Sequence, residues 1–291
     1  MNQFLQAVLS GILLGGVYGL VSMGLSLVFG VMRIVNFAHG DLVMLAMYGT
    51  FVLYTHLKLS LGAALLVVAP AFFLAGALLY RLLFARIVER SGDLLSQLML
   101  TMGLSLLLQN IAQMVFSPTQ KSITTSWTTT IYDLGPVFLS QAHLIAFTVS
   151  LAASVLLWLG LTRTDFGRSA RALVDDRDVA QMLGINSRRI YAVAMGIGAA
   201  LAGVGGVILM AYYPVTPHAG LQFLPLAFVA IVLGGMGNVL GAFAGGILIG
   251  VVQQLTAVYV ALQLQNVGLL VVFIAILLFR PKGLFGKEGA L

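Results

Sequence analysis

The first 32 residues carry no charged side chain, and apolar positions dominate residues 4–31, which predicts a first membrane-spanning helix. Apolar stretches recur at 42–57, 59–79, 94–116, 142–161, 190–213, 240–261 and 265–280. Each approaches or exceeds the roughly 20 residues that a helix needs to cross a bilayer. Residues 221–233 are apolar too, but thirteen residues are too few to cross. They predict a short or broken helix running into Gly234-Gly235-Met236-Gly237-Asn238. The pattern reads as all-α: a polytopic transmembrane helical bundle of eight or nine helical segments, some broken or short, in one domain over 1–291.

Charges mark the connections. The segment 81–93 holds Arg81, Arg86, Glu89, Arg90 and Asp93, and 163–189 holds six arginines and four aspartates. The tail carries Arg280, Lys282 and Lys287, whereas 117–141 is rich in Ser and Thr with only Lys121 and Asp133. Positive charge favours the cytoplasmic side. That rule places 81–93, 163–189 and 280–291 inside and 117–141 and 213–222 outside, with the N-terminus outside and the C-terminus cytoplasmic.

Composition agrees. Sixty percent of the 291 residues are hydrophobic and 8% are charged, against about 25% charged in soluble domains. The 33 glycines suit helices that approach closely in lipid, where packing drives association. With no cysteine, disulfides, thiolate metal sites and cysteine nucleophiles are excluded. The net charge of +6 does not point to nucleic acid, because the basic residues sit at the ends of apolar runs. Arg33 is the first charged residue, so no basic leader precedes the first helix, which reads as a retained span.

Two segments read as helix breaks at membrane depth: Asn36, His39 and Gly40 in the first, Gly234, Gly235 and Gly237 in the second. Irregular backbone at that depth must be buried in protein or line a cavity. Asn36 and Asp41 fit simple capping of a helix start; a direct functional role for Asn36, His39 and Asp41, including a proton relay, is the alternative. The charge-based topology puts this break near the cytoplasmic face.

Gln97, Thr101, Ser105 and Gln109 recur every four residues, so they share one helix face. A polar stripe on a lipid-embedded helix should turn inward. It reads either as helix–helix hydrogen bonding or as the lining of a path, with Gln253 and Gln254 a weaker candidate of the same kind.

The segment 163–189 is polar enough to leave the membrane. Leu173, Val179, Ala180 and Leu183 can form one apolar face of a short amphipathic helix, and Gly184 supplies its stop. Such a helix either docks into a groove on a partner or is a solvated loop helix.

An apolar helix, a charged short helix, a glycine and another apolar helix together resemble the coupling loop of ABC importer permeases. RSARALVDDRDVAQMLGINSRRIYAVAMGIGAALAGVGGV at 168–207 is similar to LivH-type permeases of branched-chain amino acid ABC transporters. So are GLVSMGLSLVFGVMRIVNFAHGDLVMLAMYG at 19–49, VLGGMGNVLGAFAGGILIG at 232–250 and LLFRPKGLFG at 277–286. One departure is Arg-Ala-Leu-Val-Asp-Asp at 171–176, where other importers carry Glu-Ala-Ala; it limits residue-level transfer from them.

The resemblance implies a permease subunit in a bacterial inner membrane, paired with a second homologous permease. Two ABC ATPase subunits and a periplasmic substrate-binding protein complete the assembly. The coupling residues it implies are Arg171, Asp175, Asp176, Arg177, Asp178, Leu183 and Gly184. This chain has no G-x-x-x-x-G-K-[ST] loop, so no cofactor is expected on it; ATP and magnesium belong to the partners. Related substrates such as urea, amides or other amino acids are the nearest alternative. An ion-coupled secondary transporter is a more distant one, since such proteins place ionisable residues inside spans. Neither paired carboxylates nor a metal-ligand or nucleophile cluster suggests an enzyme.

Overall fold

The computed structural model describes residues 2–86, 94–133, 135, 137–280 and 283–285. Glu89, Arg90 and Asp93 of the basic loop, and Lys282 and Lys287 of the tail, lie outside the described residues.

The helices are α1 (Asn2–Met32), α2 (His39–Thr55), α3 (Leu61–Leu79), α4 (Leu94–Phe116) and α5 (Gln141–Arg163). Two short helices follow, α6 (Asp165–Asp175) and α7 (Arg177–Met182). The chain closes with α8 (Ser187–Leu209), α9 (Gly220–Gly234), α10 (Val239–Tyr259) and α11 (Gln265–Phe279). Seven described helices are long and apolar enough to cross a membrane. With the shorter α2 and α9, nine described helices build the bundle, the upper of the two expected numbers. A small antiparallel hairpin, β1 (Ile131–Asp133) and β2 (Phe138–Ser140), lies in the 117–141 loop. Gln6 of α1 clasps it with two 2.8 Å bonds to the Phe138 backbone.

Glycine sets the packing, as the composition suggested. Gly11, Gly15 and Gly19, one turn apart on α1, meet Gly246 and Gly250 of the antiparallel α10 backbone to backbone. A Cβ at any of the five would press into main chain of the facing helix. Gly24 with Gly198 brings α1 against α8, and Gly76 with Gly196 brings α3 against α8. Helices α1 and α8 are therefore buried on nearly all sides, while α3, α4, α5 and α11 turn apolar faces outward. A helix apolar all round belongs in a bundle core.

Two helices start inside the bundle rather than at its ends. After α1 the chain doubles back, and His39, the first residue of α2, sets its Nε2 3.1 Å from the Val21 carbonyl. That level lies about two to three turns above the end of α1. Asn36, His39 and Asp41 are thus deep in the bundle, which corrects their expected place near its cytoplasmic end. The chain likewise leaves α8, bonds Val215 to Lys121 in the 117–141 loop, and turns in to start α9 at Gly220. Gly40 and Gly220 touch, so the N-termini of α2 and α9 meet in the interior and the helices run apart.

The Gly-rich segment after α9 differs from its expected role. Gly235 and Gly237 take positive φ in a tight turn between α9 and α10, and Asn238 caps α10 through the Gly241 N–H at 3.0 Å. Gly237 packs on Gly30 near the end of α1. Leu284 donates to the Leu233 carbonyl at 2.7 Å, strapping the turn with the tail. The interior break that matches 33–38 is therefore 210–219, which the hydropathy pattern shows only as a short outer turn.

Candidate functional site

Two places carry polar chemistry: the junction where α2 and α9 begin, and the charged pair α6–α7.

At the junction neither N-cap residue, Ala38 or Ala219, has a capping side chain. Asn36 caps the turn itself, its Oδ1 accepting from the Ala38 N–H at 3.1 Å. Asp41 lies in the first turn of α2, where negative charge favours the helix dipole. Its carboxylate abuts Gly220 at the start of α9 and accepts from Gln109 Nε2 at 3.0 Å. One carboxylate thus faces the positive ends of both short helices.

Helix α4 lies along α2 in the same direction: Gln109 meets Asp41, and Tyr48 stacks on Phe116 at 4.2 Å. Its stripe turns inward as expected, with Gln97, Thr101, Ser105 and Gln109 all buried. Thr101 donates to the Val35 carbonyl at 3.3 Å, and Gln109 also donates to Ser105 at 3.0 Å. The opposite side of α4 exposes Leu95, Met99, Met102 and Leu106. Gln253 donates to Asn266 at 2.9 Å, an ordinary helix–helix bond between α10 and α11.

One member was not evident from sequence. His218 Nδ1 lies 3.1 Å from Gln109 Oε1, and its side chain is exposed. The exposed positions His218, Leu221, Gln222 and Pro225 follow one another at helical spacing, so the buried network reaches an open face of α9. The i, i+4 pair His218 and Gln222 at a Pro-containing helix start was the available signal.

The other end differs from the expected single helix. Asp176 adopts extended backbone, and its Oδ1 caps a second helix by accepting from the Asp178 and Val179 N–H groups at 2.9 and 3.0 Å. The break splits the expected apolar face. Leu173 and Ala180 pack inward, while Val179 and Leu183, with Met182, stand exposed. Gly184 takes φ +85° and ends α7, as expected. Asn186 then caps α8 through the Arg189 N–H at 3.1 Å.

Several charges here are used locally. Arg171 donates to the Leu161 carbonyl at the end of α5, Asp165 pairs with Arg168, and the Arg177 guanidinium sits 5.8 Å from the Tyr191 ring centre. Asp175 and Asp178 project into solvent.

Residues 7–279, nearly the whole of this arrangement, match the family described as branched-chain amino acid transport system / permease component. The chain belongs to that family. The permease is 32% identical to the high-affinity branched-chain amino acid transport system permease protein BraD of Pseudomonas aeruginosa, over 98% of this chain and 96% of that protein. It is 29% identical to LivH of Escherichia coli over the same shares. A shorter similarity, 33% over 43% of this chain and 29% of the other, relates it to the permease protein LivM of Escherichia coli. No solved structure matches it. As a permease component it is a multi-pass membrane subunit of a transport system rather than an enzyme.

Proposed function

We propose that the permease is the membrane subunit of an ATP-driven importer that takes up branched-chain amino acids. The observation that carries this is the family match across residues 7–279, to which relatives named for that transport add similarity over 98% of the chain. The exposed Val179, Met182 and Leu183, ringed by Asp175 and Asp178, suit a groove on an ATPase subunit. Two such ATPases would carry ATP and magnesium, and Gly184 would pass their movement into α8. The clustering of Arg81, Arg86, Arg163, Arg168, Arg188, Arg189 and Arg280 at helix ends favours a cytoplasmic side there, with the N-terminus outside. The similarity to LivM supports a second, homologous permease as the pairing partner. With the permease in a bacterial inner membrane, a periplasmic binding protein would deliver substrate to the opposite end.

The path would run beside the open face of α9. His218 and Gln109 stand at its wall, and the rest of the α4 stripe supports them from behind.

The test is to purify the chain with whatever stays bound, reconstitute the complex, and follow uptake of labelled leucine, isoleucine and valine with urea and acetamide as competitors. An ATPase and a second permease in the preparation, with ATP-dependent leucine uptake, support the reading. Uptake of leucine by the chain alone, driven by an ion gradient, would overturn it.

A further inference from the structure

Helix α4 meets the described bundle along its buried stripe, where it lies on α2, and turns its other side outward. On that side Met99, Gly103, Leu106, Asn110 and Gln113 are all exposed and follow one another at steps of four, three, four and three. A mean step of about 3.5 residues keeps side chains on one line when two helices wrap round each other, and lipid imposes no such period. The chemistry along the line agrees. Gly103 has nothing within 4 Å of the place a Cβ would take, so the backbone of another helix can come close there. Asn110 directly follows Gln109, which bonds Asp41 at the junction deep in the bundle. The Asn110 Nδ2 donates to the Leu106 carbonyl at 2.7 Å, and its side-chain oxygen has no partner among the described residues.

The other outward faces differ. Along the middle of α3, α5 and α11 the exposed residues are aliphatic or aromatic, apart from Thr148, whose hydroxyl donates to the Leu144 carbonyl at 2.8 Å. Those faces suit lipid. An amide with a spare oxygen at the depth of the junction does not, because hydrocarbon offers it no donor. Asparagine and small residues are what join helices inside a membrane. Whatever covers this line must itself span the membrane, since the line runs the length of α4. It must bring a donor to Asn110 and side chains that fit between Met99, Gly103 and Leu106, where methionine adapts to an irregular partner.

We propose that this side of α4 is where the second, homologous permease packs, helix on helix. Gly103 is the point of closest approach, and Asn110 fixes the register, as a lone polar residue does in a helix seam. The inference rests on the importer reading above and adds to it the face of contact. It also places the partner beside the path. Asn110 adjoins Gln109, so a helix seated on this line brings its own surface next to the Gln109–His218 wall.

The chain has no cysteine, so single cysteines can carry a photo-crosslinker. Benzophenone maleimide is attached to Met99→Cys and Leu106→Cys on α4, with Leu156→Cys on α5 and Ile274→Cys on α11 as outward controls. Irradiating the complex in vesicles that take up leucine should join the α4 positions to the second permease and the controls to lipid. Asn110→Leu removes one interhelical hydrogen bond and should weaken retention of the second permease about three- to tenfold. Gly103→Leu blocks the close approach and should abolish retention. Lipid adducts from α4, permease adducts from Leu156 or Ile274, or a link between two copies of this chain would each overturn the proposal and leave the importer reading standing. If ATP-dependent leucine uptake proceeds with no second permease present, the pairing in that reading fails, and this contact with it.

Discussion

Gln109 of α4 donates its amide to Asp41 of α2 at 3.0 Å and receives His218 from beyond α8 at 3.1 Å, so one side chain joins three parts of the chain in the bundle interior. Removing the carboxylate strands one N–H of the buried Gln109 amide, the other being held by Ser105. Asp41→Ala is expected to destabilise the permease by about 1–3 kcal/mol, and Asp41→Asn, which keeps an acceptor oxygen, by less. Thermal melting of the purified complex measures both. Equal melting of Asp41→Ala and the unmodified protein would show that the junction does not depend on this carboxylate.

The stripe on α4 separates support from path lining. Thr101→Val removes the bond to Val35 at nearly constant volume and should lower stability by about 1 kcal/mol while leaving the KM for leucine unchanged. Gln109→Leu, beside the open face, should lower uptake while the protein still inserts. Uptake at the unmodified rate by Gln109→Leu would remove it from the path wall.

Gly184 has open space around it, so only its positive φ opposes a side chain. Gly184→Val should strain this turn by about 1–2 kcal/mol. It is expected to let ATP hydrolysis continue while uptake falls, with Gly184→Asn milder because asparagine tolerates this backbone. Parallel ATPase and uptake assays decide, and tight coupling in the valine variant would discard Gly184 as a coupling element.

Met182 and Leu183 are exposed and contribute little to the fold. Met182→Asp or Leu183→Asp should therefore leave the melting temperature in place and abolish retention of the ATPase on co-purification. Retention of the ATPase by both variants would place its docking site elsewhere.

Gly246→Ala drives a methyl into the α1 backbone, whereas the space around Gly160 is empty. The first is expected to cost about 1–3 kcal/mol or more by overpacking. Gly160→Ala should be neutral or stabilising by up to about 1 kcal/mol. Comparing detergent-resistant protein for the two variants tests whether the α1–α10 contact holds the bundle together.

Much of this was legible in the sequence because it follows from period and length. The four-residue spacing from Gln97 to Gln109 picked out the buried side of α4, and the apolar runs gave the spans. Depth was not legible. The Asn36–Gly40 break at membrane depth is read from the sequence, but how far the chain turns back is not, and nothing in 210–219 records its matching turn; that depends on Gly40 and Gly220 meeting across 180 positions. The face of α6–α7 was misjudged because one helical period was carried through Asp176. The Asp-Arg-Asp run at 176–178 held the cue, a cap that starts a new helix in a new phase.

The meeting of Gly40 and Gly220 also bears on how the chain is made. Helix α2 emerges early during synthesis, yet Gly220 follows about 180 residues later, roughly 10–40 s at ordinary rates of translation. During that interval Gln109 can already bond the Asp41 carboxylate, but the start of α2 lacks the α9 backbone that lies against it in the finished bundle. In hydrocarbon free backbone groups are costly to leave exposed. The centre of the permease, where Gly40 meets Gly220, therefore closes only when its C-terminal half arrives.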